Sequence, residues 1–331
     1  MNASMTHPLT KADILDRLLN QPLDELMAEA REVLLAVKGD AIHLRGIVEF
    51  SSHCVRDCLY CGLRRDNRKA RRIRLSEEEI LGAALYAVSA GVDTVVLQSG
   101  DDLAYRAEDL AFVIHKIKSL TGAAVTVSCG ERPFRDYVLW REAGADRYLM
   151  RHETADPDLY ARLHPGRTLD QRLTALRALS RLGYETGAGC IVGLPGQTPD
   201  ILAQDVMLVR ELGAAMCGVG PLLPQAGSGL PGVAPGSLET TLRMIALIRL
   251  ACPGINIPAT TALASLDPAR GHSLGLLAGA NVIMPVFTPD RLRGSYRIYD
   301  GKIPVKPEDA HTAAQAAGRR LLKPKRVLPH A

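Results

Sequence analysis

Short runs of apolar and β-branched residues alternate along the chain with stretches whose apolar positions recur every three or four residues. The runs fall at Leu44–Phe50, Thr94–Gln98, Ala124–Ser128, Arg147–Arg151, Glu185–Val192, Met216–Gly220, Ile255–Pro258 and Val282–Met284. Several are nearly continuous in apolar character, as strands covered on both faces are. Between them the helical period is explicit. Over 77–90, Ile80, Leu81, Ala84, Leu85 and Val88 form one stripe; Ser76 with Glu79 supplies a capping box at its start and Gly91 a stop. Thr168 with Gln171 repeats the capping pattern before Leu173, Leu176 and Leu179. Eight strands alternating with helices predict an α/β fold, a parallel sheet closed into a (β/α)8 TIM-type barrel. A doubly wound open sheet shares this periodicity and is the alternative.

The pattern divides into an N-terminal helical extension (1–42), a barrel (43–300) and a C-terminal helix with a basic tail (301–331). The Gly- and Pro-rich stretch Pro221–Pro235 is too long for an ordinary connection, and strands continue after it, so it reads as a functional loop rather than a linker. Chemistry on such a barrel sits at the C-terminal ends of the strands. The loops after residues 50, 98, 128, 151, 192, 220, 258 and 284 should therefore share one mouth.

Composition narrows the class. Of 331 residues, 47% are hydrophobic, enough for a substantial core, and the net charge is only +4 with acids and bases interspersed, which argues against nucleic acid as a partner. The densest basic run, Arg64 to Arg74, is either a solvated loop or a positive rim for an anionic substrate or acidic partner. No apolar stretch reaches the roughly 18 residues of a membrane span, and no secretion signal opens the chain. Seven cysteines, an odd number with three inside eight positions, do not read as a disulfide framework; a reducing cytoplasm is expected.

Those three cysteines carry the chemistry. Cys54-Val55-Arg56-Asp57-Cys58-Leu59-Tyr60-Cys61 directly follows the first strand. Three thiolates on a short loop bind three irons of a cubane [4Fe–4S] cluster and leave the fourth open to a small molecule. A structural zinc would need a fourth ligand from elsewhere, such as His53 or Cys129.

Cysteines spaced three and then two residues apart, with an aromatic before the last, resemble the motif of the radical S-adenosylmethionine (SAM) superfamily. In that family the open iron chelates the methionyl amine and carboxylate of SAM, and reductive cleavage yields a 5′-deoxyadenosyl radical. The resemblance puts Tyr60 near the adenine. It also implies a SAM amine contact at Gly100-Asp101, where relatives carry glycine and glutamate and this chain is one methylene shorter. Gly189-Cys190-Ile191-Val192-Gly193 resembles the family's adenine-binding element, with Ile191 on the base. Arg151-His152-Glu153-Thr154 and Pro258-Ala259-Thr260-Thr261 end two further strands. From residue types alone, Glu153 could accept from an ammonium, Arg172 clamp a carboxylate, and the two threonine hydroxyls bind a substrate carboxylate. A salt-bridge network and ordinary strand ends are the plainer alternatives.

Longer blocks are similar to the HydE family of radical SAM maturases of [FeFe]-hydrogenase, within the biotin-synthase-like group. They include Tyr60-Cys61-Gly62-Leu63-Arg64, Arg151-His152-Glu153-Thr154-Ala155, Gly183-Tyr184-Glu185-Thr186-Gly187, Ile257-Pro258-Ala259-Thr260-Thr261 and Gly279-Ala280-Asn281-Val282. The resemblance implies a barrel with SAM at one end of an internal cavity, Glu153, Arg172 and Met216 around it, and Arg45, Gln98, Thr260 and Thr261 lining the rest. It implies an iron-complex or other small-molecule substrate, HydF and HydG as partners, and ferredoxin or flavodoxin as electron donor. Some members carry a second cluster on C-terminal cysteines; here the last cysteine is Cys252. Methylornithine synthase, a carbon-skeleton mutase of the same group, and a non-catalytic zinc or iron–sulfur protein are the competing readings.

Overall fold

A computed structural model describes residues 8–322 of the chain. Among the described residues there are ten strands: β1 (Ala41–Ser51), β2 (Thr94–Ser99), β3 (Ala124–Ser128), β4 (Arg147–Leu149), β5 (Glu185–Ala188), β6 (Ile191–Val192), β7 (Met216–Cys217), β8 (Gly220–Pro221), β9 (Val282–Ile283) and β10 (Arg320–Leu321). Helices α1 (Lys11–Asn20) and α2 (Leu23–Lys38) precede β1. The intervening helices are α3 (Glu77–Ser89), α4 (Ala107–Thr121), α5 (Phe134–Glu142), α6 (Pro157–Leu163), α7 (Leu169–Arg181), α8 (Pro199–Glu211), α9 (Leu238–Ala251), α10 (Thr261–Leu266) and α11 (Gly271–Leu277). The short α12 (Asp290–Arg293) and then α13 (Pro307–Ala316) follow β9.

The main sheet is parallel throughout, in the order β10-β1-β2-β3-β4-β5-β7, with β9 on the other side of β1. Parallel bridges from Met216 to Asn256 and from Pro258 to Val282 complete the ring between β7 and β9. The result is the expected α/β barrel, and the doubly wound alternative falls. The capping boxes at Ser76/Glu79 and Thr168/Gln171 form as read, and each satisfies backbone N–H groups that the first helical turn cannot.

Three expected strands depart from the pattern. Ile255–Pro258 forms no ladder of its own. Pro258 has no N–H to give, and the Ile257 N–H donates instead to Asn281 Oδ1 at 2.9 Å, so a side-chain amide replaces the neighbouring strand. Glu185–Val192 breaks into β5 and β6 at Gly189, whose φ of 147° suits no other residue and whose Cβ would stand 2.1 Å from Gly218 O. Met216–Gly220 splits in register with it, and β6 pairs β8 as a separate parallel two-stranded ladder beyond the barrel rim. The basic tail lies beyond the described residues. No described helix is long and apolar enough to cross a membrane.

Candidate radical SAM site

The loop from Ser52 to Leu75, between β1 and α3, is held by main-chain bonds from four directions. The Val55 N–H donates to Asp101 O (3.0 Å), the Leu59 N–H to Leu163 O (2.9 Å), the Gly229 N–H to Leu59 O (2.6 Å) and the Gly62 N–H to Ile298 O (2.8 Å). The Gly- and Pro-rich loop after β8 thus covers the cysteine loop rather than linking domains. Three arginines of the basic run brace the loop: Arg64 grips Asp57 with two bonds (2.8 and 2.7 Å), Arg74 grips Asp102 likewise (2.6 and 2.8 Å), and Arg72 donates to the carbonyls of Ser52, Leu63 and Arg64. Arg65, Arg68, Lys69 and Arg71 are exposed, as both a solvated loop and a positive rim would have them.

Cys54, Cys58 and Cys61 are unpaired, partly buried and line one cavity at the C-terminal mouth of the barrel. Burial pushes the Cys61 thiol up to about 12, and burial, with the Cys61 and Cys54 thiols beside it, also pushes Cys58 up. Burial raises Cys54 as well, so all three thiols favour their neutral form unless a cation compensates. Among the described residues the one trio of His, Cys or acidic side chains with ligand atoms all within 4.8 Å of one another is His152, Cys190 and Asp205. The three loop sulfurs are therefore more widely spread than around a single tetrahedral zinc, whose thiolates stand about 3.8 Å apart at Zn–S bonds of ~2.3 Å. Three thiols facing one cavity at wider spacing fit a multi-iron cluster. The suggested fourth zinc ligands do not close the set: Cys129 is buried with its Sγ 3.9 Å from Leu97 O, and neither it nor His53 lines the cavity.

The same cavity is lined by Tyr60, Gln98, Gly100, Asp101, Glu153, Arg172, Ile191, Thr260 and Thr261, so twelve of the fourteen expected site residues converge. Tyr60 reaches His164, its hydroxyl 2.8 Å from Nε2; the other ring nitrogen lies 2.8 Å from Tyr160 O, which can only accept, so the imidazole proton is on Nδ1 and Nε2 accepts from Tyr60. Arg172 Nε lies 2.8 Å from Glu131 Oε1, and its Nη1 donates to Arg151 O at 3.1 Å. Three buried oxygens in or beside the cavity have no hydrogen-bonding partner: Thr260 Oγ1, Glu153 Oε2, although Arg151 Nη2 stands 3.3 Å from it, and Glu131 Oε1, since the Arg172 Nε–H donates to the Tyr160 hydroxyl at 3.2 Å. Orphaned polar atoms facing a cavity suit a ligand with an ammonium and hydroxyl groups. Asp101 is differently employed: its Oδ2 accepts from Arg56 Nε (2.7 Å) and from the Glu131 N–H (3.1 Å). It braces the loop as well as touching the cavity.

Arg45 and Met216 sit elsewhere. Arg45 pairs in register with Thr94 at the start of β2, and its Nη1 lies 2.7 Å from Met216 Sδ. Neither side chain lines the mouth cavity. Burial, with Arg147 nearby, lowers the Arg45 guanidinium to about 10.

Of the cavity residues that the sequence reading passed over, four are charged or phenolic. Glu49 and Lys302 form an ion pair across the cavity, with Thr288 also beside Glu49, and Tyr296 and Tyr299 stand on the same segment as Lys302. Glu49 had a signal, a lone acid on the inward face of an apolar strand. Lys302, Tyr296 and Tyr299 lie after β9, where periodicity fades. Glu131, which gathers Arg56, Arg167 and Arg172, was also missed.

The Radical SAM superfamily pattern matches residues 48–209. The [FeFe] hydrogenase maturase subunit HydE of Thermotoga maritima is 46% identical over 294 residues, covering 89% of this chain and 83% of that protein. 3-Methylornithine synthase of Methanosarcina barkeri is 28% identical over 309 residues, 92% of this chain and 86% of that protein. The crystal structure of methylornithine synthase superposes with a TM-score of 0.85 at 27% identity, over 97% of this chain and 95% of that one. Identity to HydE well above that to the mutase, over almost the whole barrel, settles the relationship: this chain belongs to the HydE family of radical SAM enzymes.

Proposed function

We propose that this protein is a hydrogenase maturase that holds a [4Fe–4S] cluster on Cys54, Cys58 and Cys61 and binds SAM beside it. When bound, the pair supplies one-electron cleavage of SAM and hence radical chemistry inside the barrel. The chain's own residues bind and shield. Glu153 accepts from the SAM ammonium, Gly100 allows close approach of the loop after β2, and Ile191 packs on the adenine with Tyr60 nearby. Thr260, Thr261 and Gln98 orient the substrate, and Arg45 with Met216 closes the floor of the barrel. The segment carrying Tyr296, Ile298 and Lys302 covers the mouth and excludes water. The substrate is a small molecule or iron complex, the electron donor a ferredoxin or flavodoxin, and HydF and HydG the partner maturases.

The observation that carries this reading is the convergence of three cysteines and nine further expected residues on one cavity at the barrel mouth. Two experiments test it. Adding SAM to the reduced, anaerobically reconstituted protein is expected to change the cluster's EPR spectrum; one zinc per chain and no iron would refute the chemistry. Deleting the gene is expected to abolish the host's [FeFe]-hydrogenase activity. Retained hydrogenase activity, with turnover of lysine by the purified enzyme, would instead favour the methylornithine synthase reading.

A further inference from the structure

We propose that Asp205 is a positioning residue for Glu153, acting through His152 and the Ala155 backbone to aim the Glu153 carboxylate into the cavity. The proposal rests on the reading above, in which Glu153 meets the SAM ammonium.

Among the described residues Glu153 alone, glycines aside, has a positive φ, 69°. The Thr154 N–H donates to His152 O at 2.9 Å, closing a γ-turn around Glu153 in its strained, positive-φ form. Such a residue stays strained only where its surroundings over-determine it. On one side the barrel does so: the Glu153 N–H donates to Gly189 O (2.9 Å) and the Ile191 N–H to Glu153 O (3.0 Å).

On the other side stands Asp205, on α8 and wholly buried. Its Oδ1 accepts from the Ala155 N–H at 2.6 Å and lies 3.2 Å from His152 Nε2. The Gly189 N–H donates to His152 Nδ1 (3.3 Å), which must therefore be bare, so the imidazole proton is on Nε2 and points at Asp205. The residues before and after the turn are thus tied to one carboxylate oxygen.

Cys190 completes a buried trio with these two side chains, all three ligand atoms within 4.8 Å. A metal site is the poorer account of it: Asp205 Oδ2 has no partner, but both imidazole nitrogens are already bonded within the protein, which leaves His152 no free ligand atom. A general structural role is the alternative that remains, and it can be separated from positioning.

The test uses cluster-loaded protein and measures SAM Kd from the EPR change of the reduced cluster, with iron content and Tm alongside. The variants are Glu153→Gln, Asp205→Ala, Asp205→Asn and the two double variants. Asp205→Ala is expected to raise the SAM Kd about tenfold or more, as loss of an orienting partner does. Asp205→Asn, which keeps a neutral acceptor for the Ala155 N–H, should lose less. In the Glu153→Gln background neither change should weaken SAM binding further. An effect of Asp205→Ala undiminished in that background overturns the proposal. So does an unchanged Kd in Asp205→Ala while Glu153→Gln weakens binding. An unchanged Kd in Glu153→Gln overturns the reading of Glu153 as well, which tells the two failures apart. Should Asp205→Ala not fold, Asp205→Asn alone and with Glu153→Gln decides by the same comparison.

Discussion

Arg172 Nε stands 2.8 Å from Glu131 Oε1, and this buried contact is the hub on which the cavity's cationic wall turns. Arg56 Nη2 lies 3.5 Å from Glu131 Oε2, and Arg167 reaches the same oxygen. One carboxylate after β3 therefore fixes a guanidinium from the cysteine loop, one from the segment before α7 and one from α7 itself. Breaking a buried pair by removing one partner leaves uncompensated charge and costs about 3–5 kcal/mol. The Glu131→Gln variant should accordingly lose about 3 kcal/mol of unfolding free energy in urea titrations. It should also bind SAM more weakly as Arg172 drifts. A variant with wild-type stability would remove Glu131 from this role.

The strain at Glu153 gives a second prediction, independent of SAM. Backbone held at a sparsely populated positive φ costs a non-glycine residue about 1–3 kcal/mol, and glycine escapes that cost. Glycine is usually the less stable replacement. Here the order should invert, with Glu153→Gly more stable than Glu153→Ala by about 1 kcal/mol, read as the difference in unfolding free energy. Equal stabilities, or alanine ahead, would mean that the turn relaxes when the carboxylate is removed.

Gly100 is packed against the cysteine loop so closely that a Cβ there would lie 2.3 Å from His53 O and 2.8 Å from Cys54 Cβ. These atoms are backbone and a Cβ, not the far end of a flexible side chain, so nothing yields cheaply. Gly100→Ala should therefore displace Cys54 and lower the iron and sulfide bound per chain after anaerobic reconstitution, while far-UV circular dichroism stays unchanged. Full iron loading in that variant would show that the loop shifts without disturbing its sulfur.

Much of this architecture was legible because it depends on local signals. The capping boxes at Ser76 and Thr168, the apolar strand runs and the spacing of Cys54, Cys58 and Cys61 are each set within about eight residues. What stayed hidden depends on contacts far apart in sequence. Ile257 ends in a side-chain bond to Asn281 rather than a ladder, and nothing near Ile257 announces that. Lys302 meets Glu49 across 253 positions, from a segment without periodicity. Arg72 looked like surface charge, yet its guanidinium holds the cysteine loop through carbonyls at 20, 9 and 8 residues' remove. Charge patterning cannot distinguish a solvated arginine from one that folds back on its own loop.

Two buried histidines shape the acid limb of stability. Burial lowers both His164 and His272 to about 4, and His272 Nε2 has no hydrogen-bond partner. In the unfolded chain each titrates near pH ~6.5. Above that value neither form binds the proton and these groups make no pH-dependent contribution. Between pH ~6.5 and about 4 the unfolded chain binds protons that the folded protein refuses, so stability falls as the pH is lowered. Below about 4 both forms are protonated and the dependence ends. The slope from one histidine approaches 1.4 kcal/mol per pH unit, so about 2 kcal/mol is lost from each between pH 7 and 5. His272→Leu keeps the volume and removes the titration, and it lies apart from the cavity. Urea unfolding at pH 7, 6 and 5 should show the variant losing about 2 kcal/mol less than wild type over that interval. Parallel curves for the two proteins would mean that His272 takes up its proton in the folded state, through an opening of the α11 region that admits water.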